Sequence, residues 1–302
     1  MSRKPFRRLE SLMGPVASNA ELLFGRTLPA GLAERLVSGV RFARRAYIDW
    51  QTRSHLVSYP KCGRTWLRVM LSRAVLDAAG LPTQGTDLTK VQRLHRLVEG
   101  SPRVAVTHDD DPHRKTPDEL ETDKSAYRRR RVVLLVRDPR DVIVSQYHHR
   151  RSRDRDFDGS LSAFLRAQRG GYESLLRFYA IWWRGKQELP HAVVVRYEDL
   201  RSDPVAQLHT AALGLGFDRL PDASARRAVE ASAFERMRRQ EAVGGFASHR
   251  LRPGDPDVPN SFKVRKGQVG GFREEMSEED VEWVTDRMND VLPPGCFGYT
   301  TG

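Results

Sequence analysis

The chain has 302 residues, a formal charge of +12 and 39% hydrophobic residues, enough to bury a sizeable core in one large or two ordinary domains. Its apolar runs, such as Val132 to Val136, are far too short to span a membrane. The basic N-terminus lacks the apolar core and small-residue cleavage site of a signal peptide, and Cys62 and Cys296 fit neither a disulfide framework nor a Cys/His metal spacing. A cytoplasmic protein without a metal site is therefore expected. The positive charge favours anionic partners, but it is mostly arginine, and a general arginine bias accounts for much of it without any polyanion.

Residues 1–53 read as a basic N-terminal extension, with a helical stretch from Leu32 to Tyr47 in which arginines alternate with Leu36, Val40 and Phe42. Two readings stand: a helix packed on the domain with a solvated basic face, or a peripheral membrane or partner contact. From Ser54 the pattern becomes strand, loop, helix. Leu56 and Val57 are strand-like, Pro60 and Gly63 punctuate a loop, and a helical apolar face runs from Thr65 to Gly80. Arg103 to His108 reads as a strand, followed by an acidic loop through Pro117. Arg131 to Val136 has the uninterrupted apolar character of a parallel strand buried on both faces. Asp138 then caps a helix with Pro139 in its first position, running towards Arg151.

Ser160 caps a helix to about Arg169, and Tyr172 to Leu189 forms a longer one whose aromatic residues are core. His191 to Tyr197 is another buried strand, followed by the segment Glu198 to Pro204 and a helix through Leu213. A single helix opened by Asp222 or Ser224 contains Val229, Phe234 and Met237. From Glu241 to Glu275 the pattern dissolves into a long loop, and Ser277-Glu-Glu-Asp280 is a capping box for the last helix, to Val291. Alternating strands and helices predict an α/β fold with a mostly parallel central sheet flanked by helices, residues 54–302 forming one domain and the ligand site lying at the carboxyl ends of the strands.

Three stretches carry the chemistry. The loop Tyr59-Pro-Lys-Cys-Gly-Arg-Thr-Trp66 precedes a helix N-terminus, where unpartnered N–H groups, the positive end of the helix dipole, Lys61, Arg64 and the Thr65 hydroxyl build an anion site. It lacks the G-x-x-x-x-G-K-[ST] spacing of a nucleotidase loop, and no acid suited to Mg²⁺ follows a strand. Arg137 stands at a strand end with Ser145 eight residues on, in the following helix and on the Asp141 face. Downstream, Arg265-Lys-Gly-Gln-Val-Gly-Gly271 offers two cations and three glycines to a second phosphate.

In order and spacing, these stretches resemble sulfotransferases that use 3′-phosphoadenosine 5′-phosphosulfate (PAPS), over about residues 55–275. Tyr59 to Trp66 is similar to the family's strand-loop-helix for the phosphosulfate, which is P-loop-like. Arg137 to Ser145 resembles its 3′-phosphate motif, and Arg265-Lys-Gly267 with Gly270 its C-terminal R-K-G-x-x-G. Tyr197-Glu-Asp-Leu200 and Phe234-Glu-Arg-Met237 match as well. The resemblance implies that Lys61 neutralises charge on the bridging oxygen, with Cys62, Gly63, Arg64 and Thr65 supplying the loop. Trp66, Tyr197 and Phe234 surround the adenine, and Arg137, Ser145, Arg265, Lys266 and Gly267 hold the 3′-phosphate.

His108, in Val106-Thr-His108, resembles the family's catalytic histidine, implying a general base for in-line transfer to an acceptor hydroxyl or amine. Taken alone, a histidine before an acidic loop is an ordinary surface residue. Val106 stands where many relatives have lysine, leaving Arg64 and Lys115 as candidate replacements. Cys62 and Arg64 replace small hydroxyl residues; Cys62 is either a reactive thiolate or a filler of serine-sized space whose backbone N–H does the binding.

The expected co-substrate is PAPS, with adenosine 3′,5′-bisphosphate as product and no metal requirement. A small-molecule, lipid or glycan acceptor would be received by residues 109–123, 157–172 and 237–260, and no nucleic acid is expected. The rivals are a kinase, dependent on ATP and Mg²⁺, and a non-enzymatic basic protein of nucleic acid or membrane surfaces.

Overall fold

The computed structural model describes residues 52–248, 251, 262 and 267–300. The N-terminal helix expected within 1–53 and the side chains of Arg265 and Lys266 fall outside them.

Four strands, β1 (Ser54–Ser58), β2 (Val104–Thr107), β3 (Arg131–Val136) and β4 (Ala192–Arg196), form one sheet in the order β2-β1-β3-β4. All three pairings are parallel, as the apolar runs require. Every residue of β1 is buried, as are all those of β3 after Arg131. The predicted strands at 103–108 and 191–197 are trimmed at their ends. Thr107 is the last paired residue of β2, and Tyr197 already belongs to a helix.

The helices are α1 (Arg64–Ala78), α2 (Leu94–Leu97), α3 (Pro139–His149), α4 (Leu161–Leu165), α5 (Tyr172–Gly185), α6 (Tyr197–Ser202), α7 (Pro204–Gly214), α8 (Asp222–Ala231), α9 (Phe234–Ala242) and α10 (Glu278–Val291). One group, α1, α7 and α8, packs together with α7 against β3 and β4; a second, α3, α5 and α10, packs together, so helices cover the sheet. In the first layer α7 comes close to the sheet at Gly214, where a Cβ would lie 2.7 Å from Val133. Trp182, Tyr179, Tyr172 and Phe164 are fully buried and fill the second, as their helical spacing predicts.

The cap residues act as expected. Asp138 accepts from the Arg140 N–H at 2.9 Å, and Ser277 from the Asp280 N–H at 3.1 Å. Two expectations need correction. The helix opened by Ser160 ends at Leu165, where Arg166 leaves the helical backbone at φ −90° and ψ 4° and the Ala167 N–H donates to the Phe164 carbonyl at 3.2 Å in a tighter turn. The single helix expected to contain Val229, Phe234 and Met237 is two, α8 and α9, broken at Ser232 and Ala233; the Ser232 carbonyl accepts from Trp66 Nε1 at 2.8 Å instead of continuing a helical ladder.

The register decides where the site lies. Val57 pairs with Thr107 and Leu134, and Val136 with Arg196, so the four carboxyl ends open on one edge. The residues that follow them, Tyr59 onwards, His108, Arg137 and Tyr197, share that edge although they are far apart in sequence.

Candidate active site at the carboxyl edge of the sheet

The β1–α1 loop folds as it does because two of its residues take a left-handed conformation, Lys61 at φ 73° and Gly63 at φ 87°. Gly63 is the N-cap of α1 and its carbonyl accepts from Trp66 and Leu67, but no side chain caps this end and no acid sits in the first turn. The first N–H groups therefore have no capping side-chain oxygen, and the residues that carry them line the cavity on this edge of the sheet. Gly63 is doubly constrained, because a Cβ there would also lie 2.6 Å from Tyr197 Cδ2. Gly63→Ala is expected to destabilise the fold by more than about 2 kcal/mol, since strain at positive φ and the collision with a buried ring add. Gly80 also has positive φ but nothing within 4 Å of a Cβ, so Gly80→Ala should cost less; urea denaturation of the two variants checks the difference.

A cavity of about 230 Å³ opens on this edge. Lys61, Gly63, Arg64, Thr65, Trp66, His108, Arg137, Ser145, Tyr197, Phe234 and Gly267 all line it, so the structure brings together every described residue expected at the site except one side chain. That exception is Cys62. It is fully buried, with Sγ 3.5 Å from Tyr179 Oη. Tyr179 gives its own proton to the Arg137 carbonyl at 2.7 Å, leaving the thiol to donate. Burial pushes the Cys62 thiol up to about 12, which removes the thiolate alternative and leaves a core filler beneath the loop.

Arg137 follows β3. Its N–H donates to Tyr179 Oη at 3.0 Å, its Nη2 donates to the Gln268 carbonyl at 2.7 Å, and its guanidinium lies 4.4 Å from the Tyr197 ring centroid. Its Nε is buried without a hydrogen-bond partner among the described residues. An orphaned cationic donor in a cavity is costly unless an anion completes it. Ser145 lies two helical turns along α3, on the face that also presents Asp141 and His149 to the cavity. Trp66 and Tyr197 meet edge to face at 6.1 Å, and Phe234 lies against Gly267, where a Cβ would be 2.5 Å from Phe234 Cδ2.

His108 continues β2. Its Nδ1 is 2.8 Å from the Ser58 carbonyl and its Nε2 2.5 Å from Arg64 Nη2. The turn after it is strained, with Asp109, Asp110 and Asp111 all at positive φ. Asp109 holds the turn by accepting from Trp182 Nε1 at 2.9 Å and Tyr127 Oη at 2.8 Å and by pairing with buried Lys124 at 2.9 Å. Beyond His108, His113 lies edge-on at 5.6 Å between ring centroids, held below the ordinary histidine range chiefly by burial. His149, Asp154 and Glu275 also line the cavity. Lys115 pairs with Asp110 and is not a lining residue.

Sequence reasoning gave Asp141 only a place on the Ser145 face. Its buried carboxylate accepts from the Gly270 N–H at 2.9 Å and the Phe272 N–H at 3.0 Å and lies 3.3 Å from Arg137 Nη2. It thereby fastens the C-terminal glycine loop to α3. The only sequence signal was its spacing four residues from Arg137 and from Ser145. Asp141→Ala should lower stability by about 1–3 kcal/mol, because two backbone donors and a guanidinium lose their acceptor. The same variant should bind adenosine 3′,5′-bisphosphate at least about tenfold more weakly, since the glycine loop and Arg137 lose their common anchor; thermal melting and calorimetry check both.

Residues 51–292 match the sulfotransferase domain family. Among curated relatives, the flavonol 3-sulfotransferase of Flaveria bidentis is 24% identical over 265 residues, spanning 78% of this chain and 80% of that protein. Human sulfotransferase 6B1 is 26% identical over 256 residues, spanning 80% and 77%. Among solved structures, mouse sulfotransferase SULT7A1 complexed with PAP has a TM-score of 0.53 at 19% identity, over 81% of this chain and 88% of that one. Retinol dehydratase in complex with androsterone and inactive cofactor PAP has a TM-score of 0.55 at 17% identity, over 80% of each chain. With four parallel strands delivering the phosphosulfate-type loop, His108, Arg137 and Tyr197 to one edge, and the domain match covering most of its length, this chain belongs to the sulfotransferase family.

Proposed function

We propose that this chain moves the sulfuryl group of PAPS to a hydroxyl, or an amine, of an acceptor by in-line displacement with His108 as general base. The single observation that carries the reading is that Lys61, His108 and Arg137 line one cavity, with the Arg137 Nε buried and lacking a partner among the described residues. The residues present suit the donor. Gly63 and Gly267 leave room beside Tyr197 and Phe234 that a Cβ would fill, and the uncapped α1 N-terminus accepts a tetrahedral anion. Lys61, Arg64 and Thr65 would hold the phosphosulfate, Trp66, Tyr197 and Phe234 the adenine, and Arg137, Ser145 and Gly267 the 3′-phosphate. Arg265 and Lys266 are assigned to the same phosphate on sequence.

The donor supplies a sulfuryl group whose bridging S–O bond breaks with its electron pair remaining on the 5′-phosphate. His108 Nε2 takes the acceptor proton as the acceptor oxygen bonds to sulfur. Lys61 and the α1 N–H groups oppose the negative charge that spreads over the transferring group and the bridging oxygen.

Residues 54–302 act as one catalytic domain, a reading supported by the compact unit Ser54–Gly302. A cytoplasmic setting belongs to the same reading, supported by Cys62 and Cys296 both being free and buried. The described helices include none long and apolar enough to cross a membrane. The acceptor side, beyond His108, carries His113, His149 and Asp154, which favours a small molecule with polar groups. Calorimetry with adenosine 3′,5′-bisphosphate against ATP plus Mg²⁺, followed by an acceptor screen with labelled PAPS, tests the reading; preference for ATP with Mg²⁺ would overturn it.

A further inference from the structure

Arg64 is the first residue of α1, and its guanidinium reaches across to the end of β2. Nη1 donates to the Thr107 carbonyl and Nη2 reaches His108 Nε2, both at 2.5 Å. A guanidinium has donors only, so Nε2 must be the acceptor. A carbonyl accepts only, so Nδ1, at 2.8 Å from the Ser58 oxygen, must carry the proton. Two independent partners thus fix the same state, neutral imidazole with hydrogen on Nδ1. The nitrogen that a general base has to use is the one Arg64 covers.

We propose that Arg64 is a positioning residue that fixes this tautomer with Nε2 covered, and that it uncovers Nε2 by turning its guanidinium to the sulfonate end of the bound donor. The inference rests on the reading of His108 as the base. A bond from a guanidinium to sulfonate oxygens joins two opposite charges and can be bidentate, whereas the bond to imidazole ends on a neutral acceptor, so the anion wins the contest. The turn is short, because Arg64 begins the helix whose N-terminus, with Lys61, forms the anion site. The base becomes available only when the group to be transferred is in place, and no oxidation, reduction or further reactant is involved.

Among the described residues, the charged and titratable groups near the His108 ring include these. Arg64 comes from α1, Lys61 shares the cavity from the β1–α1 loop, and His113 lies edge-on with Asp111, Asp154, Arg114 and Arg150 acting on it in turn. Asp109, though adjacent in sequence, is turned to Trp182, Tyr127 and Lys124.

Two measurements without turnover test the proposal. Titration of the His108 ring by NMR in the ligand-free protein should show its midpoint about one pH unit or more higher in Arg64→Gln than in the wild type, because a cation no longer opposes protonation. Calorimetry without acceptor should show PAPS binding about tenfold weaker in Arg64→Gln, with adenosine 3′,5′-bisphosphate binding weakened clearly less, since only the former carries the sulfonate. Arg64→Lys, which keeps the charge without the fork, should recover part of the PAPS affinity and guards against a variant that merely folds poorly. Equal loss for both nucleotides would make Arg64 an ordinary phosphate contact and overturn the proposal, as would an unmoved midpoint or unchanged PAPS affinity. Wild-type protein that fails to bind the bisphosphate would sink the donor reading itself, a result distinct from any of these.

Discussion

His108→Asn should lower kcat by about 10²–10⁴-fold, the usual worth of a positioned general base, and leave the affinity for adenosine 3′,5′-bisphosphate within about twofold of wild type. Asparagine is suited to the test because its amide can still donate to the Ser58 carbonyl that anchors Nδ1, so the β2 end keeps a partner. What it lacks is a basic nitrogen. In the wild type, kcat/KM should fall as the pH drops and the imidazole becomes doubly protonated, because that form has no lone pair for the acceptor proton. In the variant that acid limb should vanish along with most of the rate. The bisphosphate is untouched, since its phosphates are assigned to the β1–α1 loop and to Arg137. A fully active His108→Asn enzyme would remove His108 from the mechanism.

The second large effect separates the two ends of the donor. Lys61→Ala should reduce kcat by about 10²–10³-fold, the loss seen when one donor to a developing negative charge is removed. Its effect on bisphosphate binding should be smaller, because the charge it opposes grows as the sulfuryl group leaves. Arg137→Ala should instead weaken bisphosphate binding by about 10–100-fold, through lost charge-assisted hydrogen bonds. Part of that loss is indirect, since Arg137 also donates to the Gln268 carbonyl, pairs with Asp141 and covers the Tyr197 ring. Arg137→Lys should restore little, because a point charge cannot reproduce the fork. Steady-state kinetics with bisphosphate calorimetry would show the split between kcat and affinity, and a double variant that binds the bisphosphate like the wild type would refute the two-ended site.

Arg64 and Cys62 show where reading the sequence stopped. Both were conspicuous as substitutions in the loop, and Arg64 and Lys115 stood as equal candidates to supply a cation absent at Val106. The structure separates them. Lys115 is occupied with Asp110 away from the cavity, while Arg64 spans Thr107 and His108 within it. Cys62, adjacent to Lys61 in sequence, faces Tyr179 in the core, because left-handed backbone on either side of it reverses the direction of the chain. Neighbours in sequence at a tight loop do not share a face, and nothing in composition or spacing states which way each points.

What the sequence determined by itself was local. The apolar runs at Leu56, Val132 to Val136 and Ala192 to Val195 specify parallel strands, Asp138 and Ser277 specify helix starts, and three motifs in order specify an anion-binding family. These follow from periodicity, capping and short-range stereochemistry, which act over a few residues. The break between α8 and α9, the anchoring of the glycine loop by Asp141, the clamp on Asp109 and the cover on His108 Nε2 were decided only by the tertiary structure. Each joins groups from 15 to 166 residues apart. Such contacts exist because parallel register brings four strand ends to one edge, and it is the packing of whole elements, rather than the propensity of any one, that sets the register.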